Sequence, residues 1–184
     1  MSDLVSLPNV TLLELDVTSP TSISAAAERV KVDGGGLKIL VNNAGFGYTN
    51  PYLDTDVEIC KDMFEVNVWG PVRVTQAFIG LLVEAQGTVV MIGSTAEMMG
   101  IPYQSAYCGS KAAMHLMSES LQAEIAPLGV KLLHVSTSFV ATSWFANVPE
   151  FELPPGSYYQ PVRKWVERAA RGGQDFNVTM PASV

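Results

Sequence analysis

Cysteine is nearly absent from this chain: Cys60 and Cys108 are the only two among 184 residues. Two cysteines cannot build the disulfide framework of a small secreted fold, and no Cys/His cluster has the spacing of a zinc site. The pair fits a reducing, cytoplasmic compartment, and no metal is expected. Histidine is equally scarce, and His115 and His134 have no partners at metal or triad spacing, so both read as structural. Positive charge is short as well. Eleven Lys and Arg stand against eighteen Asp and Glu, a formal net charge of −7. That balance argues against a nucleic-acid partner, which calls for a basic surface. No apolar run approaches the roughly 20 residues that span a bilayer, so no transmembrane segment is expected. The opening "MSDLVSLPNV" lacks the basic and apolar regions of a signal peptide, and there is no internal repeat.

What is present is a core-forming composition. Hydrophobic residues make up 48% and charged residues 16%, which excludes a disordered chain, and the length suits one domain over 1–184. Apolar runs alternate with helical stretches. "VTLLELDV" (10–17) predicts a strand, and Ser19 with Pro20 opens a helix. "LKILV" (37–41) predicts a buried parallel strand, and a long helical region covers about 56–85. "GTVVMIGS" (87–94) is the next strand. A helix over about 104–127 carries Met114, Met117, Leu121 and Ile125 on one stripe. "VKLLHVS" (130–136) is the last strand. Residues 143–171 hold a Pro-rich loop and the amphipathic "VRKWVERAA", read as a lid over a substrate cleft, with 172–184 as a tail. Alternation of this kind implies an α/β fold, a doubly wound parallel sheet with helices on both faces. The methionines Met91, Met98, Met99, Met114 and Met117 read as core filling in preference to a pocket lining.

In such a sheet ligands sit beyond the carboxyl ends of the strands. There lie Asp16, "NNAG" (42–45), Ser94 and "TSFVAT" (137–142). Just beyond, Tyr107 and Lys111 stand one helical turn apart in "SAYCGSK" and share a face. A free phenol has a pKa of about 10, and a nearby ammonium favours the phenolate. Taken alone, a Tyr/Lys pair at this spacing is more often surface decoration. Ser94, thirteen residues earlier at a strand end, supplies a hydroxyl that can hold a substrate oxygen beside the phenol. Asn67 adds a geometric point: in an α-helix its carbonyl would accept from residue 71, which is proline and has no N–H. That carbonyl either holds a water that relays protons to Lys111 or marks a packing kink without chemistry.

Together, Ser94, Tyr107, Lys111, Asn67 and "NNAG" after a buried strand resemble the short-chain dehydrogenase/reductase family. More narrowly, "NNAGFGYTNPYLDTDVEICKDMFEVNVWGPVRVTQAF" and "IPYQSAYCGSKAAMHLMSESLQAEIAPLGVKL" resemble its fungal acyldihydroxyacetone-phosphate-reductase-like branch. The resemblance runs from about residue 10 to 145. It implies a Rossmann-like fold and hydride transfer between NADP(H), NAD not excluded, and a ketone or alcohol of an apolar lipid or secondary metabolite. It implies Tyr107 as proton donor, with Lys111 lowering its pKa and gripping the nicotinamide ribose. Ser94 would orient substrate and Asn67 hold the relay water. Asp16 would contact adenine, Asn43, Ala44 and Gly45 would line the cofactor, and Val140 and Thr142 would touch the carboxamide. Homo- or hetero-oligomers through the long helices are a further implication.

The chain departs from the family at both ends. The glycine turn TGxxxGxG that cradles the cofactor pyrophosphate has no counterpart, and no buried run follows residue 171. The resemblance is therefore to a truncated member. Without the family's first two strands, the run at 10–17 must re-pair beside "LKILV" or remain an unprotected edge. The "PG" usual after the fourth strand is here Thr137 and Ser138. These departures leave open a non-redox acid–base enzyme (a lyase, isomerase or cyclase) and an inactive remnant that has lost cofactor binding.

Overall fold

The computed structural model describes residues 4, 7–34, 36–138 and 148–171. Three strands form one parallel sheet in the order β1 (Ile39–Asn42), β2 (Thr88–Ile92), β3 (Lys131–Val135). Ile39 pairs with Thr88 and Asn42 with Met91; Thr88 pairs in turn with Lys131 and Ile92 with Val135. Parallel neighbours need crossovers, and helices supply them. The helices are α1 (Pro20–Asp33), α2 (Val57–Phe64), α3 (Gly70–Ala85), α4 (Ser105–Ile125) and α5 (Arg163–Ala170).

Local chemistry sets the helix ends. The Ser19 hydroxyl accepts from the Ser22 N–H at 3.3 Å, and Pro20 occupies the first turn of α1. The Asp56 carboxylate accepts from the Glu58 and Ile59 N–H groups at the start of α2. Both are N-caps that satisfy donors the helix itself leaves without partners. Gly129, at φ 78°, ends the one-turn extension of α4 before β3.

The central core lies between the sheet and helices α3 and α4. Leu82, Val89, Met91, Met114, Ile125 and Val130 are buried there, with Met117 and Leu121 packed against them. The stripe expected on α4 thus faces the sheet. Each such side chain contributes about 1.5–3 kcal/mol by leaving water. A second cluster joins Ile23 and Ala26 of α1 to Val74 and Phe78 of α3. The run Val57–Ala85 spans 29 residues with a window of mean hydropathy 1.2. It is long and apolar enough to cross a membrane by that measure alone. Here it buries Val74, Phe78 and Leu82 inside the protein.

Two expectations give way. Residues 10–17 form no strand: Val10, Leu12, Leu13 and Leu15 are all exposed. An apolar run becomes a strand only where a neighbour completes the ladder. Among the described residues β1 stays an edge, and the run does not re-pair beside it. The methionines also divide. Met91 and Met114 are buried in the core, whereas Met98 and Met99 are 68% and 61% exposed, because they sit in the turn beyond β2 where no element covers them. The two sheet faces differ as well. Leu40, Val89, Met91 and Leu132 meet α3 and α4, while Ile39, Val41 and Leu133 on the opposite face are more than half exposed. Helix α1 packs on α3 and adds no cover to that second face.

Candidate active site

The carboxyl ends of β1 and β2 and the first turns of α4 converge at one place. Ser94 follows β2, and its hydroxyl accepts from the Ala96 N–H at 3.2 Å. Its own N–H donates to Glu97 Oε2 at 3.1 Å, which completes a reciprocal capping box. This turn fixes the Ser94 side chain, and its hydroxyl hydrogen-bonds the phenol of Tyr107. Tyr107 is buried beside Tyr48, Met63 and Ala96, with Phe46 and Ile101 packed around the group.

Lys111 lies one turn further along α4. Its ammonium donates to the Ile92 carbonyl at 3.0 Å and stands 6.0 Å from the Tyr107 ring centroid. Burial pushes its pKa down, an effect the Glu97 carboxylate opposes. The Tyr107 phenol moves in the opposite sense. Burial pushes its pKa above the ordinary tyrosine value, the bond from Ser94 opposes this, and Cys108 and Glu97 add to it. The lysine was expected to draw the phenol down. At this distance its charge does not offset the loss of hydration, so the phenol is held protonated.

Asn67 sits in a π-helical turn, Glu65–Trp69, between α2 and α3. Pro71 cannot donate to the carbonyl of Asn67, and the helix widens just there, with the Gly70 N–H reaching Glu65. The turn aims the Asn67 side chain inward, where it is buried. Its Oδ1 accepts from the Phe46 N–H at 3.0 Å, and its Nδ2 donates to the Phe46 carbonyl at 2.9 Å and to Ser110 Oγ at 3.1 Å. Ser110 donates in turn to the Tyr107 carbonyl at 2.8 Å. Asn67 therefore clamps the loop after β1 against the helix that carries Tyr107 and Lys111.

That loop begins at Asn42, buried and bonded to Thr75 Oγ1 at 3.1 Å and Met91 Sδ at 3.3 Å. Asn43, Ala44 and Gly45 follow, all exposed. A Cβ placed on Gly45 would lie 3.0 Å from Asn67 Oδ1 and 3.8 Å from Lys111 Nζ. Glycine here lets the backbone pass beside the ammonium with no side chain between them. Lys111 makes one hydrogen bond among the described residues, to Ile92, so two of its three donors remain for another oxygen-bearing group.

Other expected positions fare differently. Asp16 is exposed in a turn instead of ending a strand, and its carboxylate accepts from the Thr18 N–H and hydroxyl at 2.8 and 2.7 Å. Those two bonds lower its pKa. Val140 and Thr142 lie outside the described residues. Thr137, where the family has proline, ties the end of β3 to that of β2 by donating to the Gly93 carbonyl at 2.9 Å. A hollow of about 320 Å³ is lined by Ala96, Met98, Met99, Cys108 and Ala112 among others. Its lining includes none of Ser94, Tyr107 and Lys111, so it lies outside the site.

Sequence reasoning missed Glu97 and Ser110. Glu97 had a signal, the capping-box spacing of "STAE". Ser110 had none beyond its place between Tyr107 and Lys111. His115 and His134, read as structural because no partner stands at metal or triad spacing, meet each other at Glu97.

Comparisons with known proteins bear on the family and the fold. A family profile described as short chain dehydrogenase matches residues 4–153. Short-chain dehydrogenase PC-15 of Penicillium crustosum is 43% identical over 175 residues, covering 95% of this chain and 64% of the relative. Short-chain dehydrogenase ptmH of Penicillium ochrochloron gives the same identity and coverage. The chain thus spans just under two thirds of the length of these curated relatives. Among solved structures, a short-chain dehydrogenase from Streptomyces avermitilis superposes with a TM-score of 0.76 at 30% identity, covering 93% of this chain and 68% of the other. One from Burkholderia cenocepacia in complex with NADP superposes at 0.70 and 30% identity, covering 92% and 68%. With its parallel Rossmann-like sheet and a family match over residues 4–153, the chain belongs to the short-chain dehydrogenase family.

Proposed function

We propose that this protein is a carbonyl reductase in which the oxygen of a ketone is held between the hydroxyls of Ser94 and Tyr107. The observation that carries this reading is the hydrogen-bonded Ser94–Tyr107 pair with Lys111 one turn behind it. A phenol whose pKa is raised by burial is fully protonated at neutral pH. That is the state a proton donor needs in the reductive direction. Ser94 positions the oxygen, Tyr107 gives it a proton, and the Lys111 ammonium balances the phenolate that results. A water on the Asn67 carbonyl would return the proton through Lys111.

The nicotinamide end of NADP(H) fits the residues present. Lys111 offers two donors beside the side-chain-free backbone at Gly45, with Asn43 and Ala44 exposed next to it. When bound, the cofactor supplies the hydride. No glycine turn for the pyrophosphate occurs in the 184 residues, so the fit is to that end alone. The NADP bound to the Burkholderia cenocepacia relative supports NADP as the form used.

The substrate we favour is an apolar ketone of a lipid or fungal secondary metabolite. Phe46, Tyr48 and Ile101 around the phenol support that polarity, and the Penicillium relatives support the setting. Of the stretch 143–171 read as a lid, residues 143–147 lie outside the described residues; 148–171 fit that role, with the Ser157 hydroxyl donating to Asp54 and Tyr159 meeting Tyr103 edge to face at 6.3 Å. Free Cys60 and Cys108 accord with the cytoplasm, and exposed Leu116 on α4 accords with an oligomer through the long helices.

Titration with NADPH tests the reading. Quenching of tryptophan fluorescence and a higher melting temperature are expected, both weakened in Lys111→Met. Absence of both at millimolar NADPH would refute cofactor use by this chain.

A further inference from the structure

Three elements bring one metal-ligating side chain each to a single point. Glu97 follows β2, His115 lies midway along α4, and His134 lies on β3. One donor atom from each stands within 4.8 Å of the other two. His134 Nε2 is 3.0 Å from both carboxylate oxygens of Glu97, and His115 Nδ1 is 3.5 Å from Oε1. The imidazoles meet edge to face with centroids 4.7 Å apart. A tetrahedral zinc ion with bonds of about 2.0–2.1 Å holds its ligand atoms about 3.3 Å from one another. The two measured separations lie on either side of that value.

Burial and unmet bonding point the same way. The Glu97 side chain is 0% exposed and His134 only 12%. The carboxylate accepts from the Ser94 N–H and the Ser136 hydroxyl, and a cation beside it would offset the charge so enclosed. His115 Nδ1, the ring atom that stands 3.5 Å from Glu97, is buried with no hydrogen-bond partner. A Cβ on Gly93 would collide with both His134 Nε2 and Glu97 Oε2, so the absence of a side chain there keeps the point open. Ser136 donates to Glu97 Oε1, which is the outer support a ligating carboxylate usually has. His115, one-third exposed, gives access from solvent.

We propose that Glu97, His115 and His134 bind a divalent transition-metal cation, zinc by preference, with its remaining position open to water. Two imidazoles and one carboxylate suit zinc better than magnesium or calcium, which take oxygen ligands. The ion staples the turn after β2 to α4 and β3. Because the Ser94 N–H rests on Glu97, this staple also holds the Ser94 hydroxyl in place. It is a structural site, separate from the proton donor, and does not depend on the proposed reduction.

The full chain, stripped with chelator and titrated with Zn²⁺ against a chromophoric competitor, tests the proposal. One site with a dissociation constant below about 1 µM is expected. His115→Gln should weaken it by about 100-fold and abolish the zinc-dependent rise in melting temperature. His115 Nε2 also lies 3.7 Å from Glu119 Oε1, a surface pair able to take zinc by itself, so Glu119→Gln is the control and should leave the affinity unchanged. X-ray absorption of the zinc-loaded protein should show only nitrogen and oxygen ligands. Affinity undiminished in His115→Gln, affinity lost in Glu119→Gln, a sulfur ligand, or no site tighter than about 10 µM would each overturn it.

Discussion

Asn67 and Phe46 exchange two hydrogen bonds across 21 residues: the Phe46 N–H donates to Oδ1 at 3.0 Å, and Nδ2 donates to the Phe46 carbonyl at 2.9 Å. The amide thus stands in for a strand neighbour and holds the loop after β1 beside Lys111. Asn67→Ala removes both bonds and the one to Ser110, leaving part-buried backbone groups without partners. It should cost about 2–3 kcal/mol of stability, read from urea unfolding. A loss under 0.5 kcal/mol would show that the clamp is not needed.

The buried phenol makes a pH prediction. Its folded pKa is raised above the unfolded value, so the stabilisation it brings is fully present below the unfolded value of about 10 and is lost as pH rises through the folded one. Urea midpoints should fall across that alkaline window, and the fall should be shallower in Tyr107→Phe. Identical slopes in the two proteins would contradict the shift.

Lys111 carries the opposite sign. Burial depresses its folded pKa, so the protein loses stability wherever it must keep the ammonium charged, and regains it as pH rises from the folded value toward about 10.4. Lys111→Met keeps the stem without the charge. It should raise the melting temperature at neutral pH while removing turnover, the usual exchange between stability and function. A lower melting temperature would mean that the bond to Ile92 outweighs the cost of the buried charge.

The run from Val10 to Leu15 should behave as an open segment despite its apolar sequence. Its residues are exposed and belong to no ladder, so its amides should exchange with deuterium almost as fast as in an unfolded peptide. Amides of β2, the middle strand, should be protected by orders of magnitude. Equal protection in the two would show that the run finds a strand partner in solution.

The same elements mark how far the amino-acid pattern alone specifies the fold. Strands β1, β2 and β3 are legible because each apolar run is short and bounded by turn residues, and α4 because its apolar residues recur at helical spacing. The run at 10–17 has the same pattern, yet a strand is a property of a pair, and the partner does not show in the run itself. Ser94, Tyr107 and Lys111 are legible because two lie one helical turn apart and the third ends a strand. Pro71 shows in the pattern that the Asn67 carbonyl loses its helical donor, but the widening of the turn there does not. The meeting of Glu97, His115 and His134 is invisible in the chain: their separations of 18 and 19 residues carry no period, and only the register of β2 with β3 and the packing of α4 bring them together.

The account turns on Tyr107 as the proton donor, and the direct measurement is the rate of NADPH oxidation by wild type and Tyr107→Phe with a panel of apolar ketones. Matched far-UV spectra should establish that both are folded. The account predicts turnover by wild type and a loss of about 10²–10⁴-fold in the variant, the usual worth of a positioned acid. A variant as fast as wild type would contradict it.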